Sequence, residues 1–108
     1  MPYYLLQIAY TSKGFAALVK NPQNRMEVVR KSVETLGGKL LGGWLSFGDY
    51  DVVLIAELPD HVSAAAIAMS AAAGGSLKGI KTTPLLSAEE GLAAAKKAAG
   101  SGYTPVQK

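Results

Sequence analysis

Apolar residues recur along this chain with two different periods. Alternation, together with aromatic and β-branched residues, marks Tyr3–Tyr10, Lys39–Phe47, Tyr50–Leu58 and Leu77–Leu86 as strands. Met26, Val29, Val33 and Leu36 instead recur at helical spacing and make one apolar stripe. Glu27 with Lys31 and Arg30 with Glu34 stand four apart on the polar side of that helix. Before it, TSKGFAALVKNP reads as a loop and a short helical turn. Asn21 is placed to cap the helix, with Pro22 in its first turn, and Gly37-Gly38 ends it. Asp60, after Pro59, caps a second helix that Gly74-Gly75 closes. Ser87 with Glu90 makes a capping box for a terminal helix running to about Ala99.

The order β-α-β-β-α-β defines an α+β fold, the ferredoxin-like βαββαβ sandwich, with an antiparallel sheet ordered 4-1-3-2. The breakers agree with that order. LLQIA and VVLIA, in strands one and three, carry neither Gly nor Pro and suit the centre. Gly42-Gly43 and Pro84 disturb strands two and four, which suit the edges. Residues 1–86 form the expected ferredoxin-like domain, and 87–108 a C-terminal helix and loose tail.

Alternation also sorts side chains between the two sheet faces. One face takes Tyr4, Leu6, Ile8, Val52, Leu54 and Ala56. The other takes Leu5, Gln7, Asp51, Val53, Ile55 and Glu57. Two helices cover one face, yet both faces carry large apolar residues. An apolar patch beyond a few hundred Å² marks an interface or ligand groove, so a second copy, packed sheet to sheet, is the expected cover. The alanine-rich second helix adds a similar hint, because Ile67 and Met69 stand about 200° apart around its axis. Asp51 points into the covered face, where a carboxylate needs a partner; Lys81, Arg25 or a group of the other subunit are the candidates. Gln7, Trp44, Asp51, Glu57 and Lys81, with Tyr50 beside Asp51, form the candidate intersubunit cavity for a small-molecule ligand.

Composition trims the alternatives. The chain has 108 residues, 49% of them hydrophobic and 18% charged, which describes one folded domain. Its net charge of +3 is scattered along the sequence, a solvated surface and not a nucleic-acid footprint. No cysteine is present, so disulfides and thiolate sites are excluded. MPYYLLQIAY alternates like a strand and lacks the basic start of an export signal. The stretch from Val62 to Leu77 is too poor in large apolar residues to span a membrane. A cytoplasmic protein, free of membrane, is the expectation. His61 is the one histidine and follows a helix cap. No metal-ligand spacing, GxGxxG, P-loop or nucleophile elbow occurs, so no metal or cofactor is expected.

Gly48-Asp49-Tyr50-Asp51 resembles the signature of the GYD-domain proteins, with one residue between the glycine and Tyr-Asp. Thr11 with Gly14, Arg25, Gly37-Gly38, Glu57-Leu58-Pro59-Asp60 and Thr82 are similar to that family too. The resemblance spans about residues 3 to 90. It implies the dimeric α/β-barrel arrangement, in which two ferredoxin-like units close their sheets together, and it implies no activity. Two classes of function remain open. One is a homo-oligomeric ligand-binding or interaction module. The other is a cofactor-independent enzyme, oxygenase- or isomerase-like, using carboxylates in the intersubunit cavity.

Overall fold

A computed structural model describes residues 1–106. The chain runs β1 (Tyr3–Tyr10), α1 (Ser12–Lys20), α2 (Arg25–Thr35), β2 (Lys39–Leu45), β3 (Val52–Glu57), α3 (His61–Ala73), β4 (Leu77–Leu85) and α4 (Ala88–Ala99). The strands form one antiparallel sheet ordered β2-β3-β1-β4, the ferredoxin-like order with its breaker-free strands in the centre.

Both edge disturbances have a geometric account. In β2 the register against β3 shifts between Leu40 and Gly42, so the glycine pair adjoins a bulge. In β4, Pro84 lies opposite Tyr4. The Asp51 N–H donates to the Ile8 carbonyl at 2.7 Å, which turns the backbone groups of Tyr4, Leu6, Ile8 and Tyr10 toward β3. Tyr4 and Pro84 are therefore a pair without mutual hydrogen bonds. Pro84 directs its donor-less nitrogen outward and costs the ladder nothing.

Three local expectations are corrected. The segment after β1 is a nine-residue helix, not a loop and short turn. The Thr11 hydroxyl starts it by accepting the Gly14 N–H at 2.9 Å. Asn21 closes this helix, donating its N–H to the Ala17 carbonyl at 3.0 Å, and so does not open the next. Pro22 follows, and Asn24 becomes the cap of α2 by accepting the Met26 N–H at 3.0 Å. On α2, Arg30 meets Glu27 at 3.6 Å, three residues back, in place of the Glu34 pairing.

One face of the sheet supplies the core. Tyr4, Leu6 and Ile8 of β1 and Val52, Leu54 and Ala56 of β3 are buried with Leu40, beneath Val33 of α2 and Ala64 and Ile67 of α3. Burying a side chain such as Leu54 contributes about 1.5–3 kcal/mol. The α2 stripe reads as expected, with Val33 buried and Met26, Val29 and Leu36 packed against the core. In α3, Ile67 is buried and Met69 is exposed. Tyr4 is 1% exposed, and its hydroxyl bonds to His61 Nδ1 at 2.7 Å, which satisfies an otherwise costly buried oxygen.

Helix α4 stands apart. Its capping box forms as expected, with Ser87 N–H bonding Glu90 Oε1 at 2.9 Å and Glu90 N–H bonding Ser87 Oγ at 3.1 Å. Among the described residues it makes no more than marginal contact with another element, and every residue except the half-buried Gly91 is exposed. The radius of gyration is 17.3 Å, where a compact chain of this length would have about 13 Å.

Gly38 limits what the β2 entry tolerates. A Cβ there would lie 2.2 Å from the Glu57 carbonyl oxygen and 2.8 Å from Leu58. Gly38→Ala is expected to cost about 1–3 kcal/mol, measured by urea unfolding. A second expectation concerns acid. The hydrogen bonds from Ser87 hold Glu90 below its ordinary pKa, and those from Ser63 do the same for Asp60. A carboxylate with a depressed folded pKa gives stability that is present above its unfolded pKa and lost as the pH falls through the folded value. Helical circular dichroism should therefore decline reversibly below about pH 4, and Glu90→Gln should weaken that decline.

Candidate functional site

The register lays out the second face of the sheet row by row. Lys39, Glu57, Tyr3 and Leu85 form one row, and Gly42, Ile55, Leu5 and Thr83 the next. Trp44, Val53, Gln7 and Lys81 form the third. Four candidates from the sequence, Gln7, Trp44, Glu57 and Lys81, thus share this face, and Asp51 precedes the paired part of β3. Gln7 lies beside Lys81, and Trp44 beside Val53. Tyr50 falls outside the strands, in the turn before β3, where its carbonyl accepts the Ser46 hydroxyl at 2.7 Å.

Leu5, Val53 and Ile55 are half-buried by their neighbours in the sheet. Trp44 is 58% exposed, and Leu41 and Tyr3 are exposed as well. The helices that cover the sheet lie over the opposite, core face, and the molecule is 21 Å through its thinnest axis. That is the depth of one sheet and one helix layer.

Asp51 has a local partner that the sequence did not indicate. Its Oδ2 accepts the Tyr10 N–H at 2.9 Å. Residues two apart in a strand turn their N–H groups the same way, so Tyr10 presents a donor to β3 as Ile8 presents its acceptor. Strand β3 pairs only as far as Val52. The Asp51 side chain supplies the acceptor that the next strand residue would have given, while its own backbone bonds Ile8 and Ser46. The partners expected for it, Lys81 and Arg25, are engaged or placed elsewhere. Lys81 pairs in register with Gln7, and the Arg25 guanidinium donates to Gln23 Oε1 at 3.0 Å. Glu57 sits opposite Tyr3. Hydrogen bonding to Glu57, and then the charge of that carboxylate, raises the Tyr3 phenol above its ordinary pKa.

The other face holds a hollow that sequence reasoning missed. Ile8 and Val52 form its floor, Leu18 of α1 and Met26 and Val29 of α2 form its walls, and Arg25 stands at its lip. Its volume is about 410 Å³. Trp44, at the β2 edge, is the one sequence candidate for the cavity that borders it. Reading TSKGFAALVK as a helix would have indicated this groove, because two helices then lie against the same sheet edge. A more open hollow of about 430 Å³ lies among Met1, Pro2, Tyr3, Ser87 and Glu90.

Comparison with known proteins fits this geometry. The GYD domain family matches residues 4–95, and the chain belongs to that family. A curated relative from Thermus thermophilus, named as a glutamine synthetase and cystathionine beta-lyase binding protein, is 30% identical over 78 residues. The match covers 72% of this chain and 82% of the relative. The crystal structure of TTHA0845, from the same organism, superimposes with a TM-score of 0.52. It covers 82% of this chain and 96% of its own, at 13% identity, and it shows the fold alone.

The Asp51 bond generates a direct expectation. Asp51→Ala strands the Tyr10 amide and should cost about 1.5–3 kcal/mol, as a hydrogen bond to a charged group does. Asp51→Asn keeps an oxygen and should lose less. Urea unfolding of the two variants checks the ranking.

Proposed function

We propose that this protein is a homo-oligomeric binding module whose copies close their open sheet faces on one another. The observation that carries the reading is the face of Leu5, Trp44, Val53 and Ile55, apolar and, among the described residues, without a helix over it. Its rim carries both signs of charge, Lys39 and Lys81 with Glu57 and Asp51, so two copies related by a two-fold axis meet without a uniform repulsion. Helix α4 supports the same reading. A helix of about 12 residues is marginal in water without packing, and α4 gains a surface once a second copy is in place.

In this arrangement Gln7, Trp44, Asp51, Glu57 and Lys81 line the seam, with Tyr50 at its mouth, and the assembly offers its outer surface to other proteins in the cytoplasm. The Thermus relative is named for binding two enzymes, which supports a protein partner for this module. An interaction role also suits the carboxylates better than catalysis. Asp51 accepts a backbone amide and Glu57 lies opposite Tyr3 in the sheet, positions that serve the fold.

Sedimentation velocity at micromolar concentration is expected to report a dimer or a larger assembly. Trp44 is the one tryptophan, and its fluorescence should shift to longer wavelength on dilution as the seam opens. Ile55→Glu should give a folded monomer with the wild-type circular dichroism spectrum. A wild-type protein that sediments as a monomer would overturn the reading.

A further inference from the structure

The hollow on the helix side shares only Trp44, at the β2 edge, with the proposed sheet seam, and its chemistry is one-sided. Its floor and walls are apolar, from Ile8, Val52, Leu18, Met26 and Val29. Among the described residues, Arg25 is the one charged residue lining it, and no carboxylate does so. At about 410 Å³ it falls within the size range of pockets that hold small organic molecules. Such pockets combine a mostly apolar wall with a few polar groups that fix orientation.

We propose that this cavity binds a small amphipathic anion, an aliphatic or aromatic body carrying one carboxylate, with the body against Val29 and Leu18 and the carboxylate on Arg25. The charge balance selects the anion. A cationic head would meet the guanidinium and find no counter-charge in the described lining. A neutral molecule would fill the apolar volume and leave the guanidinium unused. Asn24 already caps the Met26 N–H, so Arg25 is the group at the lip available to a carboxylate. Its present partner is the neutral Gln23 side chain at 3.0 Å, on the exposed surface, which an incoming carboxylate displaces with a stronger, charge-assisted bond. The planar guanidinium also matches a carboxylate in a two-point fit.

Isothermal titration calorimetry of the full chain with octanoate and with octanol tests the assignment. Octanoate is expected to bind about tenfold more tightly than octanol, the equivalent of one hydrogen bond to a charged group. Arg25→Gln should abolish that preference and leave octanol binding unchanged. Arg25 is exposed, so this variant should fold normally. Val29→Phe should weaken both probes by occupying the volume they need. The cavity lies within one chain, so monomeric Ile55→Glu should bind octanoate as the wild type does. This separates the proposal from the reading of the sheet face. Equal affinity of the wild type for the two probes, a preference that survives Arg25→Gln, loss of octanoate binding in Ile55→Glu, or no binding at all would overturn it.

Discussion

A sheet that is apolar on two sides, in a chain that places its helices on one, is the constraint behind most of what this molecule does. Burial is worth about 25 cal/mol per Å² of apolar surface, and the core face collects it through Tyr4, Leu6, Leu54 and Val33. The second face repeats the same pattern, with Leu5, Val53 and Ile55 at alternate positions, and the described residues place no helical layer over it. Small domains have little surplus stability. A face of this composition leaves apolar area whose burial would add to that surplus.

The residues that carry the resemblance to the family are largely devices of backbone geometry. Thr11 caps α1 and also donates to the Ser76 carbonyl at 3.2 Å. Gly14 lets the helix approach that carbonyl, where an added Cβ would come within 2.5 Å. Asp60 caps α3 by accepting the Ser63 N–H at 2.8 Å. Asp51 completes the end of the sheet. In the signature Gly48-Asp49-Tyr50-Asp51 the glycine takes a φ of +134°, and the last carboxylate finishes a hydrogen-bond ladder. These residues define how the chain folds back on itself. That leaves room for binding chemistry to reside in the apolar face and in the groove between helices and sheet.

Much of the fold was legible because independent signals coincided. Period-two alternation gave the strands, Gly and Pro separated edges from centre, and the Asp60 and Ser87 caps located two helix starts. Failures came where local chemistry admitted two solutions. Asn21-Pro22 and Asn24 can each open a helix, and only the end of α1 decides between them. The second face of the sheet was legible, because alternation alone puts Gln7, Val53 and Glu57 together. The partner of Asp51 was not, since it is a backbone N–H at the end of a neighbouring strand, and every residue but proline carries one. The hollow beside Arg25 was hidden for a related reason. It exists only because α1 and α2 both lie over the same end of the sheet, a relation between elements that no single stretch encodes.

Pro84 and the β2 bulge have a consequence for how such molecules meet in solution. A flat outer strand with regular donors and acceptors recruits further strands and can seed fibres. Here one margin lacks a donor at Pro84, and the other is kinked between Leu40 and Gly42. Lateral growth of the β-structure is thereby discouraged at each border, which leaves the strands' outer hydrogen-bonding groups a poor template for another chain.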